Sequence, residues 1–197
     1  MNKNIVLAGV GGQGTVLASK MIAAAAMKRG IPVMSAETIG MAQKGGSVQS
    51  FIRMGDGLST PLIPKGQADI IVGFEPAEAV RMLPYLKKGG SVIVNSCAIK
   101  PVTAVLHDTG YEGADMIEYL KTRVQKLTVI DCDKACEELG SKRAANMVLL
   151  GAAVGTGEIG LSLEEIREVM HERVRENFWE MNDRALSYLL NSQEMEG

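Results

Sequence analysis

Cysteine is scarce in this chain of 197 residues, and the few thiols form no recognisable metal or disulfide motif. The three cysteines, Cys97, Cys132 and Cys136, are odd in number and contain no C-x-x-C spacing. Cys132 and Cys136 are four residues apart, so they can share a helix face, but two thiolates are too few for an iron–sulfur cluster. We therefore expect buried, reduced thiols, and we expect any electron-transfer cluster to lie on another chain.

Aromatic residues are few as well, and the chain has neither a large net charge nor a long apolar run. Aromatics make up 4% of the chain and the formal net charge is −2, which gives no whole-chain electrostatic signal for nucleic acid or an anionic membrane. No apolar run reaches the length of a membrane span, and the N-terminal sequence MNKNIVLAGVGG lacks a cleavable signal pattern. These absences predict a cytoplasmic protein without a nucleic-acid or membrane partner.

Side chains for catalysis or metal binding are equally few. Neither His107 nor His171 has a Ser, Cys or carboxylate partner at an informative spacing, and no H-x-x-x-H motif is present. Glu75 and Glu78 are three residues apart on a predicted helix, where a solvated face or the helix dipole explains them. We therefore expect no catalytic residue and no metal site in this chain. It resembles one half of an active site that is shared with another chain.

What the sequence has in abundance is glycine, with 22 residues, and the densest cluster follows an apolar run at 4–9. That run is typical of a buried parallel strand, and the small, apolar residues after it predict a helix that ends at Gly30. The spacing satisfies G-x-G-x-x-G, which can hold a pyrophosphate at a helix N-terminus. The candidate residues of this turn are Gly9, Gly11, Gly12, Gln13 and Gly14.

Three interpretations of the glycine turn stay open on these residues alone. Glu37 lies 23 positions beyond Gly14 at the end of the second predicted strand, as a ribose-binding acid would in a dinucleotide site. Gln13 places a two-donor amide in the turn, where a partner or a cofactor can meet it. A tight strand-to-helix turn without a ligand is the third interpretation.

Alternating strand and helix patterns predict a single α/β domain over residues 1–197. Further buried strands are indicated at 68–74, 89–96 and 127–132, and the strand–helix–strand at the N-terminus is typical of a right-handed βαβ unit. The segment SVQSFIRM alternates polar and apolar residues, which predicts a half-exposed, antiparallel strand. We expect a Rossmann-like fold with a mostly parallel sheet, some antiparallel strand and flanking helices.

The C-terminal part of the chain is predicted to be helical from Arg143 onward. AANMVLLGAAVG is apolar all round, which predicts a buried helix. Ser162 and Glu165 have the spacing of a capping box at the start of an amphipathic segment. That segment forms either one long helix or two helices with a bend.

Several segments together resemble the gamma-type subunits or domains of the 2-oxoacid:ferredoxin oxidoreductases and, within that family, the beta subunit of the indolepyruvate-type enzymes. They are GVGGQGTVLASKMIAAAA, GMAQKGGSV, PLIP…AD…FEP.EA.R.L.YL and G…RAANMVLLGA. The likeness spans nearly the full length. It implies oxidative decarboxylation of an aryl or branched 2-oxoacid to its acyl-CoA, with electrons leaving to ferredoxin. Thiamine diphosphate and the iron–sulfur clusters would lie on a larger partner subunit, and coenzyme A would be a co-substrate.

The resemblance also implies roles for particular residues. This chain would pack over the thiamine-bearing subunit, close its cleft and present CoA, with the glycine turn holding a CoA phosphate or a partner loop. A second loop at the same edge would comprise Gln43, Lys44, Gly45, Gly46 and Ser47. Many family members carry Arg at the position of Lys44, and Lys keeps the charge but loses the bidentate fork.

Glu75 and Asn95 complete the candidate site, since each follows a strand at the carboxyl edge of the predicted sheet, where α/β proteins bind ligands. Local capping and turn chemistry explain them equally well. Two other functions remain as alternatives: a free-standing NAD(P)- or flavin-binding protein, and a non-catalytic assembly subunit.

Overall fold

The computed structural model describes residues 1–40, 45–99, 111 and 113–190. The strands are β1 (Lys3–Val10), β2 (Val33–Ile39), β3 (Ser47–Met54), β4 (Ala68–Gly73), β5 (Leu86–Asn95) and β6 (Lys126–Ile130). The α-helices in these residues are α1 (Thr15–Lys28), α2 (Pro76–Met82), α3 (Ala114–Arg123), α4 (Cys132–Leu139), α5 (Ala145–Gly155), α6 (Leu163–Arg173) and α7 (Trp179–Leu186).

The strands form one mixed sheet in the order β2-β3-β1-β4-β5-β6. Strands β1, β4, β5 and β6 pair in parallel, whereas β3 is antiparallel to both of its neighbours. The predicted fold class is therefore confirmed. The predicted βαβ unit is interrupted, however, because β3 lies between β1 and β2.

Strand β3 is also less exposed than its alternating sequence predicts. Ser50, Phe51 and Ile52 at its centre are all buried. The reason is its position, because β1 and β2 flank it and both faces of the sheet carry apolar side chains. Alternation in a sequence indicates two different faces, but it does not tell whether the second face meets water or another layer.

Two helical layers bury the two faces of the sheet. On β1, Ile5 and Leu7 face a core shared with α1, α4, α5, α6 and α7, whereas Val6 and Ala8 face a smaller core under α2 and α3. This division follows from the alternation of side chains along a strand. Each such Ile, Leu or Val contributes about 1.5–3 kcal/mol when fully buried, so the centre of the sheet is held rigidly from both faces.

The C-terminal helices confirm most of their predicted features. Residues 147–154 of α5 are all buried, and Ser162 and Glu165 form the predicted capping box at the start of α6. The amphipathic segment is divided: α6 ends at Arg173, and a short 3₁₀ turn precedes α7. No helix within the described ranges is long and apolar enough to cross a membrane.

His171 has a carboxylate partner that the sequence spacing does not indicate. Its Nε2 lies 2.9 Å from Oδ2 of Asp183 on α7, and its ring stacks on Trp179 with 4.4 Å between centroids. Asp183 is 12 positions from His171, a separation at which the sequence gives no signal of the pairing. The bend between α6 and α7 brings the two residues together, and their contact joins two helices at a distance from the glycine turn. His107 lies outside the described residues.

Candidate active-site edge

The candidate site is built at the edge of the sheet where the parallel strands β1, β4, β5 and β6 have their carboxyl ends. Helix α1 follows β1 onto one face, and α2 follows β4 onto the other. The chain therefore leaves the two central strands in opposite directions, and a crevice opens between them. Such switch points are where open α/β sheets bind ligands.

In the glycine turn between β1 and α1, neighbouring side chains lie very close to the backbone at both ends, Gly9 and Gly14. A Cβ on Gly9 would lie 2.7 Å from Gln13 Oε1 and 2.8 Å from Phe74 Cβ. Gly14 adopts a φ of +85°, and a Cβ there would lie 2.6 Å from Asn146 Nδ2. Both positions therefore require glycine for structural reasons. Gly12 differs, since it is exposed and no described atom lies within 4 Å of its Cβ position.

Gln13 folds back into the turn. Its Oε1 accepts a hydrogen bond from the backbone N–H of Val10 at 2.8 Å, and its Nε2 donates to the carbonyl of Phe74 at 2.8 Å. The amide thus joins the end of β1 to the end of β4 across the switch point. Its role as a polar contact to a partner or cofactor stays a prediction, with a structural role now established beside it.

The second glycine loop lies directly against the first, at the edge that the family resemblance implies. The backbone N–H of Gly11 donates to the carbonyl of Gly46 at 2.8 Å, and the N–H of Gly45 donates to the carbonyl of Gly11 at 3.4 Å. The two loops therefore form one continuous surface at the edge of β1 and β3. Gln43 and Lys44 lie outside the described residues, so their roles stay predictions.

Two buried carboxylates at the start of α2 form a hydrogen-bond network with the second glycine loop. Glu75 and Glu78 are only 2% and 4% exposed, so the interpretation of a solvated face is wrong for both. Glu75 caps α2 by accepting from the backbone N–H of Glu78 at 3.0 Å, which fits the dipole interpretation. Glu78 accepts from the hydroxyl of Ser47 at 2.6 Å and pairs with Arg81. The network ties the second loop to α2.

Tyr111 adds a third segment to the same network. Its hydroxyl donates to Glu75 and accepts from the backbone N–H of Ala77 at 3.2 Å. Burial, together with the neighbouring Glu75 carboxylate, raises the pKa of the Tyr111 phenol well above its usual range. The phenol therefore stays neutral and remains a hydrogen-bond donor at physiological pH.

Asn95, at the end of β5, hydrogen-bonds backbone groups of one nearby residue and of two residues that are distant in the sequence. Its Oδ1 accepts from the backbone N–H of Cys97 at 3.1 Å and of Cys132 at 3.3 Å, and its Nδ2 donates to the carbonyl of Phe74 at 3.4 Å. The side chain is 7% exposed and joins the ends of β4, β5 and β6. Its predicted ligand role is untested by these contacts, which favour turn chemistry.

A cleft of about 480 Å³ opens beside the glycine turn, a volume within the range of small-molecule sites. Gly12, Gln13 and Gly14 form one wall, and the turn before α5 forms another. That turn contributes Lys142 and Arg143, two adjacent cations. The N-terminus of α1 opens onto the same space without a side-chain cap, and uncapped N–H groups attract anions.

Sequence reasoning missed Lys142 and Arg143 as site residues. They lie more than 120 positions beyond the glycine turn, and α5 carries them to it by packing against α1. The available signal was a Lys-Arg pair immediately before an all-apolar helix. Asn146, the second residue of α5, contacts Gly14 and fixes the separation of the two walls.

The cleft also contains two of the three cysteines. Cys97 is half-buried and Cys132 is 1% exposed, and burial raises the pKa of both thiols. Burial likewise raises the pKa of Cys136. Protonated thiols are poor ligands and nucleophiles. In the part of the chain that the structure describes, no group of His, Cys, Asp and Glu is placed to hold a metal ion.

The order of the strands argues against the interpretation of the glycine turn as a dinucleotide-binding site. Glu37 is paired with Ser50 of β3, which separates it from β1. Neighbouring strands are about 4.8 Å apart, so the acid lies roughly 10 Å from the strand that leads into the turn. In a dinucleotide fold the second strand is the neighbour of the first. The inserted strand therefore disfavours a ribose contact by Glu37.

Residues 4–188 match the pyruvate ferredoxin/flavodoxin oxidoreductase family. The chain belongs to this family. It is 37% identical over 187 residues to indolepyruvate oxidoreductase subunit IorB of Archaeoglobus fulgidus, which covers 94% of this chain and 92% of the relative. It is 30% identical over 189 residues to the common gamma subunit of the pyruvate/ketoisovalerate oxidoreductases of Thermococcus kodakarensis, covering 93% and 92%.

Solved structures agree with this assignment. The gamma subunit of a keto/oxoacid ferredoxin oxidoreductase from Geobacter sulfurreducens superposes with a TM-score of 0.68 at 25% identity, covering 94% of each chain. The predicted likeness to gamma-type subunits is confirmed. This chain is accordingly an IorB-like subunit of the 2-oxoacid:ferredoxin oxidoreductase family, whose members act as oxidoreductases at the level of the assembled complex.

Proposed function

We propose that this chain binds a larger subunit carrying thiamine diphosphate and iron–sulfur clusters, and that the glycine edge closes the shared active site and binds CoA. The observation that carries the proposal is the cleft in which the glycine turn meets Lys142 and Arg143. CoA carries a pyrophosphate and a 3′-phosphate, and two adjacent cations beside an uncapped helix N-terminus suit such an anion.

The substrate class and the acceptor are proposed from the relatives. The name of the Archaeoglobus protein specifies indolepyruvate, which supports an aryl 2-oxoacid here, and the name of the Geobacter subunit specifies ferredoxin. The side-chain pocket for the 2-oxoacid is proposed to lie largely on the partner. We also propose that the chain is cytoplasmic and forms one gamma-type domain over residues 1–197, which the single sheet supports.

This chain contributes positioning and exclusion of water to the reaction. Thiamine diphosphate on the partner supplies the electron sink for decarboxylation. Gly12, exposed at the tip of the turn, allows a phosphate or a partner backbone to approach closely. The partly buried Glu78–Ser47 hydrogen bond holds the second loop in place, so that the surface is formed before its ligands bind.

The first experiment is an anaerobic affinity purification of the tagged chain from its native cells. The eluate is assayed for CoA-dependent dye reduction with indolepyruvate, phenylpyruvate, pyruvate and 2-oxoglutarate. A large iron–sulfur partner that copurifies with this activity would support the proposal and rank the substrates. A chain that elutes alone with bound NAD(P) or flavin would contradict it.

The CoA site is tested separately with a double substitution in the assembled complex. Lys142→Ala with Arg143→Ala should raise the KM for CoA more than tenfold, about 1.4 kcal/mol, and leave the KM for the 2-oxoacid within twofold. Lys20→Ala, an exposed cation on α1, is the matched control. If the double variant and the Lys20→Ala control changed the KM for CoA equally, Lys142 and Arg143 would not be part of the CoA site.

An assembly subunit without ligand contacts is the second candidate. The observation in its favour is that the side chains of Gln13, Glu75 and Asn95 all form hydrogen bonds with neighbouring protein groups: Gln13 donates, and Glu75 and Asn95 accept. This alternative predicts that the Lys142→Ala/Arg143→Ala variant weakens the complex without changing the KM for CoA. Measuring subunit affinity beside the KM distinguishes the two functions.

A further inference from the structure

A second concave site lies at the opposite edge of the sheet, where β5 begins. It is a groove of about 540 Å³ between the C-terminal ends of α2 and α3. Val80, Leu83 and Val124 provide apolar contacts, and Lys87 to Gly90 form one rim. The volume falls within the range of small-molecule sites. The glycine turn lies at the other end of β1 and β4, so the two sites are separate.

The groove concentrates positive charge in a chain whose formal net charge is −2. Lys87, Lys88 and Arg123 line it, and no carboxylate is among its described lining residues. Lys87 pairs with Asp69, which leaves Lys88 and Arg123 as the excess charge. A concave wall focuses the field of such charges and raises the local concentration of anions.

An aromatic ring stands beside these cations. Tyr119 is 43% exposed, and the guanidinium of Arg123 lies 5.2 Å from the centroid of its ring. Arg held over an aromatic ring keeps its planar fork in a defined orientation, which favours bidentate contacts with phosphate. On the rim, no described atom lies within 4 Å of the Cβ position of Gly89, so a ligand can approach the backbone beside Lys88.

We propose that this groove binds a nucleoside phosphate, with the phosphates on Lys88 and Arg123 and the base against Tyr119 and the apolar wall. Two cations with no carboxylate among the groove's described lining residues attract a polyanion, and an exposed aromatic ring beside an apolar surface favours a planar group. A nucleoside phosphate combines both features in a molecule that fits the volume. The site is independent of the proposed CoA cleft.

The test is calorimetric titration of the full chain and of its assembled complex with ATP, ADP, adenosine and sodium tripolyphosphate at 0.1 M salt. ATP should bind at least tenfold more tightly than either adenosine, which lacks the charge, or tripolyphosphate, which lacks the ring. Lys88→Glu with Arg123→Glu should weaken ATP binding at least tenfold, and Lys20→Glu on α1 should change it less than twofold. Tyr119→Leu should weaken ATP binding and leave tripolyphosphate binding unchanged.

Three results would overturn the proposal. Equal affinities for ATP and tripolyphosphate would show that no base is recognised. Loss of ATP binding in Lys142→Ala/Arg143→Ala, with none in Lys88→Glu/Arg123→Glu, would assign the nucleotide to the glycine-turn cleft. Binding by the free chain but not by the complex would make the groove a contact for a partner subunit. All variants change exposed residues, and a thermal unfolding curve for each confirms that it is folded.

Discussion

Gln13 and Asn95 donate their side-chain amides to the same acceptor, the carbonyl oxygen of Phe74, at 2.8 and 3.4 Å. Phe74 immediately follows β4, so this one oxygen connects the glycine turn after β1 with the end of β5. The two amides supply the carbonyl with partners at a point where the chain turns away from the ladder. The three strand ends that frame the candidate site are thus held in fixed relation before any ligand arrives.

The amide of Gln13 can be removed with little change in volume. Gln13→Met leaves the N–H of Val10 and one lone pair of Phe74 without their partner, and an unsatisfied buried donor costs about 1–3 kcal/mol. We expect the free energy of unfolding in urea to fall by this amount. Gln67→Met, at an exposed position, is the control. A variant as stable as the original chain would show that the amide's role lies in ligand contacts alone.

The glycines of the turn separate into structural and open positions. Gly9→Ala would place a Cβ 2.8 Å from Thr15 Oγ1 and closer still to Gln13, and overpacking of this kind costs about 1–3 kcal/mol. Gly12→Ala meets no described atom within 4 Å, so it carries only the backbone cost of its φ of +100°, about 1–2 kcal/mol.

The two variants should also differ in function when they are tested in the assembled complex. We expect Gly9→Ala to lower the Tm of the chain. Gly12→Ala should lower the Tm through its backbone cost alone and, unlike Gly9→Ala, should also raise the KM for CoA, because a Cβ at the tip keeps a phosphate away from the turn. The measurements are thermal unfolding of each variant and CoA-dependent dye reduction. A higher KM for CoA in Gly9→Ala alone would contradict this division.

Much of the fold could be predicted from the sequence because its signals are local. Buried strands read as apolar runs, and Ser162 with Glu165 reads as a capping box that the structure contains. The insertion of β3 between β1 and β2 could not be predicted, because strand order depends on which edge a connecting loop reaches. No local pattern records that choice.

The candidate site could be predicted only in part. The glycine loops were found because glycine itself marks a close backbone approach, and the structure places Gly11 against Gly45 and Gly46. Lys142 and Arg143 were missed because surface cations are common and their position is set by the packing of α5 on α1. A residue brought to a site by a distant helix leaves no spacing signal.

The Glu78–Ser47 hydrogen bond should couple the second loop to α2 energetically. Glu78→Ala leaves the Ser47 hydroxyl and Arg81 without a partner, whereas Ser47→Ala removes the hydroxyl alone. The double variant should therefore be less destabilised than the sum of the single variants, with a coupling of about 0.5–3 kcal/mol. The free energies of unfolding of the four proteins give this value. A coupling of zero would mean that Glu78 does not hold the loop.

Stability should fall as the pH rises above about 9, because burial raises the pKa of Cys132 and of Tyr111 in the folded chain. The ordinary pKa values of these two groups are 9.0 and 10.0, so the unfolded chain loses these protons first. Between the unfolded and folded pKa values the native state binds more protons, and stability then decreases with pH. The stabilising contribution is therefore complete below pH 9 and is lost on the alkaline side.

Urea unfolding under reducing conditions at pH 7, 9 and 10 measures the slope of the free energy of unfolding against pH. Cys132→Ala should flatten it, whereas an unchanged slope would assign the loss to other groups.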